Sequence, residues 1–235
     1  MVDAAAAPDT TDSLDLSAPE ARVLGSLMEK QLTTPVAYPL TLNALVAACN
    51  QATNRDPVVR YEPHEVEQAV VTLKAKGLAR MVHPGSGERV TKYRQVADEA
   101  LDLGSSGRAL ICVLLLRGAQ TVAELKSRTE WLHAFASLGD IEDGLDVLAR
   151  RHRAFTARVE RRPGQREERW IQLLEVGAAE RAAASATEAA SSSDVRASAV
   201  RGSERVEELE ARLATVERRL AALVEALGDL VDLPE

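Results

Sequence analysis

Apolar residues first recur at helical spacing at Ala21, Val23, Leu24, Leu27 and Met28, and Ser17 followed three residues later by Glu20 is a capping box at the head of that run. This predicts a helix that runs to about Gln31. The Thr33-Thr34-Pro35 and Tyr38-Pro39 stretches end it, because proline disfavours helical geometry in the residue before it. A second helix is predicted over 41–51, and Asn54, Asp56 and Pro57 mark the loop after it. Pro63 suits a first helical position, and Val66, Ala69, Val70 and Leu73 continue at helical spacing until Gly77. The period then shortens, predicting strands over 78–83 and 89–96 around the turn Pro84-Gly85-Ser86-Gly87.

The same order returns. Ser105 or Ser106 precedes an apolar helix over 109–116, and Thr121 with Glu124 caps a helix over 122–128. Ile141, Leu145 and Leu148 form the stripe of a third helix ending near Arg151, and strands over 155–160 and 168–174 flank Arg162-Pro163-Gly164-Gln165. Three helices followed by a two-stranded wing is the winged-helix arrangement, and its recurrence supports each reading against the other. The predicted class is therefore α+β, mainly α with short β-hairpins, as two tandem winged-helix units over 17–99 and 100–174.

Residues 1–16 carry Asp3, Asp9, Asp12 and Asp15 and little apolar surface, the composition of a disordered acidic tail. From 177 to 203, Ala and Ser supply 16 of 27 residues, too little side chain for a core, so 175–203 reads as a linker. Over 204–231, Val206, Leu209, Leu213, Val216, Leu220, Leu223, Leu227 and Leu230 keep the alternating three- and four-residue spacing of a coiled-coil seam. With Val206 at position a, Arg205 and Arg212 at g face Glu210 and Glu217 at e only in a parallel pair. The expectation is a homodimer through a parallel C-terminal coiled coil; the non-β-branched Leu213, Leu220 and Leu227 at a leave a trimer open.

Charge has to be apportioned before the net −7 is used. Residues 17–99 carry 10 basic and 9 acidic groups and 100–174 carry 12 and 10, whereas 1–16 carry 0 and 4 and 175–235 carry 7 and 13. The acidity belongs to the two ends, so a polyanionic partner stays open. Aromatic residues are only 3%, which disfavours a base-stacking surface for single strands. No apolar run reaches the ~18 residues of a membrane span and no signal-peptide pattern opens the chain, so a cytoplasmic protein without a membrane partner is expected. Cys49 and Cys112, far apart and outside any CxxC, read as two buried free thiols.

Several strings resemble the YceH family of uncharacterised bacterial proteins. They are Glu20-Ala21-Arg22-Val23-Leu24-Gly25, Glu29-Lys30-Gln31, Thr33-Thr34-Pro35, Tyr38-Pro39-Leu40, Asn43, Ala48-Cys49-Asn50-Gln51, Asn54-Arg55, Pro57-Val58, Arg89-Val90-Thr91-Lys92-Tyr93 and Leu114-Leu115-Leu116-Arg117-Gly118-Ala119-Gln120-Thr121. The resemblance covers about 16–174 and implies a tandem winged-helix fold but no established activity. Val122-Ala123 stands where Pro-Gly would follow Thr121 in that family, and the Ala/Ser stretch with its coiled coil departs from the compact family pattern.

For a winged helix the default partner is duplex DNA, with the third helix in the major groove and the wing on the backbone. Here the third helices begin with Glu62, Glu65 and Glu67, and with Asp140, Glu142, Asp143 and Asp146, which would repel phosphates. The strongest basic signal is the second wing and its approach: Arg150, Arg151, Arg153, Arg158, Arg161, Arg162, Arg166 and Arg169 against Glu160, Glu167 and Glu168. Of these, Arg151, Arg153, Arg158, Arg161, Arg162 and Arg166 are candidate backbone contacts; the bland alternative is a solvated face of Arg–Glu cross-strand pairs. Arg89, Lys92 and Arg94 form a smaller set on the first wing. Asn50, Gln51, Asn54 and Arg55 either read base edges or satisfy buried backbone groups. Gly85-Ser86-Gly87 lacks the GK[ST] of a phosphate loop, His64, His83, His133 and His152 show no metal spacing, and Trp131 and Trp170 read as core or hinge anchors. The expectation is a regulator that binds DNA, not an enzyme, with no cofactor or metal; the alternative is a protein-interaction scaffold whose acidic third helices meet a protein partner.

Overall fold

The computed structural model describes residues 14–83, 90–159 and 167–182. Both predicted wing turns, with Arg89, Arg161, Arg162 and Arg166, most of the predicted acidic tail and of the Ala/Ser stretch, and the whole predicted coiled-coil seam lie outside the described residues.

α1 (Ala18–Thr33) starts at the predicted box: Glu20 N–H donates to Ser17 Oγ at 3.4 Å and Ser17 N–H donates to Glu20 Oε2 at 2.6 Å. It runs two residues past Gln31, and the Thr33 and Thr34 hydroxyls donate back to the carbonyls of Glu29 and Lys30 before Pro35 stops it. β1 (Leu40–Thr41) leads directly into α2 (Leu42–Cys49), with Thr41 as N-cap. α2 ends two residues earlier than the spacing predicts, because Asn50 turns its amide to the backbone of Tyr61: Nδ2 donates to Tyr61 O and Oδ1 accepts from Tyr61 N–H, each at 2.8 Å. α3 (Pro63–Ala75), β2 (Ala79–Val82) and β3 (Lys92–Gln95) follow, and the sheet order is β1-β3-β2, antiparallel throughout. α4 (Ala97–Ala100) bridges to α5 (Ser105–Arg117), α6 (Val122–Thr129), α7 (Leu138–Ala149), β4 (Thr156–Val159) and β5 (Arg169–Gln172). The chain is thus α+β. The cap of α5 is Gly104, not a serine; Ser105 and Ser106 sit in its first turn.

Several bonds of the first half recur in the second. Val96 N–H donates to Leu78 O at 2.9 Å and Leu173 N–H to Phe155 O at 2.8 Å. Buried Gln95 accepts from the N–H groups of Ala97 and Asp98 through Oε1, and buried Gln172 does the same for Leu174 and Glu175. Leu40 pairs with Tyr93 one residue before the Thr41 cap, and Gln120 bridges Trp170 one residue before the Thr121 cap. The third strand of the second half is thereby reduced to a single bridge.

The halves are not separate bodies. α1 packs on α5 at Gly25, where an added Cβ would lie 2.9 Å from Leu116 Cγ and Cδ2, so the close approach requires glycine. One buried cluster runs through both halves, from Leu24, Leu45 and Leu73 to Leu110, Ile141 and Leu145. Leu16, assigned to the tail on composition, is 0% exposed: it donates to Leu174 O at 2.7 Å and accepts from Val176 N–H at 2.9 Å, tying the start of the fold to its end.

Candidate nucleic-acid interface

The described arginines of the second hairpin have partners within the chain. Arg151 donates to the carbonyls of Leu101 and Asp102, with its guanidinium 5.1 Å from the Phe155 ring centroid, and holds the inter-half connection to the end of α7. Arg153 lies 2.5 Å from Asp15. Arg158 sits 3.4 Å from both Glu168 and Asp146 and 4.8 Å from the Trp170 ring centroid. Arg169 makes a forked pair with Glu124 at 2.9 and 3.3 Å and donates to Ala119 O at 2.8 Å. The charges of this part of the hairpin are matched within the chain, across the hairpin by Glu168 and from outside it by Asp15, Asp102, Glu124 and Asp146.

The polar segment after α2 is also committed internally. Arg55 is buried, with Nη1 and Nη2 donating to the two carboxylate oxygens of Glu29 at 3.0 and 2.6 Å, Nε donating to Ala48 O at 3.1 Å and Nη2 also to Gln51 Oε1 at 2.9 Å. Asn54 accepts from Arg117. Arg22, which spacing placed on a helix without assigning a role, is buried and donates to the carbonyls of Cys49 and Pro57 at 3.2 and 2.6 Å; burial, then the charge of Arg55, pushes its guanidinium below the ordinary value.

The first sheet differs. Side chains alternate along β3, so Lys92 and Arg94 share the face opposite buried Tyr93 and Gln95. The register sets Arg80 directly across from Arg94, and Lys92 across from Val82 and Thr41. Among the described residues neither the Arg80 nor the Arg94 side chain has a hydrogen bond or ion pair, although like charges directly opposite are destabilising. Arg80 carried no weight in the sequence reading; only the register reveals it, since it lies fourteen residues from Arg94.

The third-helix carboxylates divide. Glu65 and Asp140 close capping boxes with Glu62 and Ser137, and Asp146 pairs with Arg150 and Arg158. Glu67, Glu142 and Asp143 are exposed. The two tryptophans also divide: Trp170 is in the core at 3% exposure, but Trp131 is 87% exposed, which corrects its reading as an anchor. After α6 the N–H groups of Leu132 and His133 both donate to Thr129 O, and this turn packs Leu132 inward while Trp131 points out. Cys49 and Cys112 are buried free thiols, with burial pushing the Cys49 thiol up to about 11 and Cys112 higher still. Among the described residues no cluster of His, Cys, Asp or Glu is arranged for a metal ion, and no helix is long and apolar enough to cross a membrane.

Over residues 16–165 the sequence matches the family described as "Protein of unknown function, DUF480". The chain belongs to this family. It is 40% identical over 220 residues to the UPF0502 protein YceH of Salmonella paratyphi A (strain ATCC 9150 / SARB42), covering 92% of this chain and 99% of that one. A UPF0502 protein of Solibacter usitatus (strain Ellin6076) is 49% identical over 160 residues, 68% of this chain and 75% of its own. Coverage of 92% leaves fewer residues out than 175–235 contains, so the Salmonella YceH protein aligns with most of that stretch.

Proposed function

We propose that this DUF480 chain is a cytoplasmic, winged-helix-type protein that binds the backbone of duplex DNA as a dimer, in the manner of a transcriptional regulator. The observation that carries the reading is the Arg80–Arg94 pair: two arginines set opposite each other on the outer face of the first sheet, neither with an ion pair among the described residues. Such a pair costs stability in the free chain and gains it beside a row of phosphates. Arg161, Arg162 and Arg166, which lie outside the described residues, would extend the proposed contact on the second half, whereas Arg151, Arg153 and Arg158 contribute less because their charges are already matched. Pairing through the C-terminal seam would let two weak contacts act together, raising apparent affinity ~10²–10⁴-fold where both reach DNA.

The test is fluorescence anisotropy of generic duplex DNA across a salt series, with the full chain and with an Arg80→Gln/Arg94→Gln variant. Binding should weaken steeply with salt, and the variant should lose at least about threefold in affinity and lower the log–log salt slope by about 1–2. Absence of binding even at low salt would move the assignment to the scaffold reading, which the exposed Glu67, Glu142 and Asp143 favour. Sedimentation of the full chain against one ending at Ala182 tests the dimer: two monomers would remove the seam from the proposal.

A further inference from the structure

A cleft of about 490 Å³ opens where α1 of the first half meets α5 and α6 of the second. Its floor is apolar and buried, with Leu116 of α5 and the inward-turned Leu132 among its walls. Its rim holds Arg117 at the end of α5, Arg128 at the end of α6 and the exposed indole of Trp131. An indole left 87% exposed offers an unfilled apolar face, and a cleft of this size is within the ~300–1,000 Å³ of small-molecule sites.

Charge selects the ligand. Three carboxylates lie near the guanidiniums, Glu29 and Asp56 by Arg117 and Glu124 by Arg128, and two of them are engaged elsewhere. Glu29 gives both oxygens to Arg55, and Glu124 gives both to Arg169. Arg128 is left 3.8 Å from one Glu124 oxygen, and among the described residues the Arg117 side chain donates to the neutral amide oxygen of Asn54. Burial, then the adjacent charge of Arg128, pushes the Arg117 guanidinium below its ordinary value. The wall is also fixed in place: Asp56 N–H donates to Leu116 O at 2.9 Å, and Asn54 holds a left-handed φ of 60°.

We propose that this cleft binds a small planar organic anion of the aryl carboxylate class, with its carboxylate between Arg117 and Arg128 and its ring against Trp131. The site owes nothing to the DNA reading and stands or falls without it.

The experiment is isothermal titration calorimetry of the full chain, without DNA, against 2-naphthoate and benzoate, with benzamide lacking the charge and acetate lacking the ring. The two aryl carboxylates should bind at least tenfold tighter than either control. Trp131→Ala and Arg128→Gln should each lose about tenfold; both positions are on the rim, and an unchanged melting midpoint shows that the fold is intact. The proposal is overturned if neither aryl carboxylate binds at millimolar concentration, if acetate or benzamide binds as tightly, or if both variants bind like the parent. A short duplex that displaces 2-naphthoate, with the competition lost in Trp131→Ala, would also overturn it and make the cleft a phosphodiester contact.

Discussion

Arg55 shows how a residue's chemistry depends on what the fold brings to it. In the sequence it sits in a polar loop beside Asn54, where a guanidinium reads equally well as a base contact or a structural clamp. In the structure its side chain is fully buried and its fork meets the Glu29 carboxylate from α1, twenty-six residues away. Removing one partner of a buried pair leaves the other charge without compensation, so Arg55→Met should cost about 3 kcal/mol, read as the shift in urea unfolding. A midpoint within about 0.5 kcal/mol of the parent would show that the pair carries little of the fold's stability. Arg80 and Arg94 make the opposite case: their neutralisation should leave stability unchanged or slightly higher while weakening DNA binding, the pattern of residues kept for a partner.

At the scale of elements, capping chemistry was the most legible feature. The Ser17/Glu20 and Thr121/Glu124 boxes are present as the sequence predicts, because the pattern is local and needs only four residues. The box at α7 was missed: Asp140 replaces the usual Glu or Gln, yet its carboxylate still accepts from Ser137 N–H at 3.0 Å. β1 was also missed, since two residues cannot show alternation and only β3 alongside makes them a strand. The α6 box gives a pH prediction. Burial alone would raise the Glu124 carboxyl, but the Thr121 N–H and the charges of Arg169 and Arg128 together outweigh it and hold it below the ordinary 4.5. A carboxyl depressed in the folded state contributes stability above 4.5 and loses it as pH falls through the folded value. Urea midpoints measured from neutral pH down through that window should therefore fall more steeply in the parent than in Glu124→Gln, where the amide oxygen keeps the cap and the charge is gone. Parallel curves would assign the acid limb to other carboxylates.

At the scale of the whole molecule, the two halves share one buried cluster and α1 approaches α5 closely at Gly25, which predicts that they unfold together. Gly25→Ala would ordinarily favour a helix, but here the added methyl meets Leu116 at 2.9 Å and Leu115 Cβ at 3.1 Å. We expect a net loss of about 1–2 kcal/mol in a single unfolding transition. If the packing is instead loose, the substitution will stabilise, and two separable transitions would show that the halves fold independently.

Local rules explain what was legible from sequence alone. Helical spacing, caps, turn composition and the recurrence of one element order fixed the α+β class and the doubled arrangement, because each depends on residues a few positions apart. What depended on long-range register was decided only by the tertiary structure. It paired Arg80 with Arg94, supplied carboxylates and carbonyls to Arg151, Arg158 and Arg169, buried Leu16 against the far end of the fold and left Trp131 in the open beside two guanidiniums. A basic residue has the same charge wherever it lies in a sequence, but its availability to a partner depends on which opposite charges the folded chain places within a few ångströms.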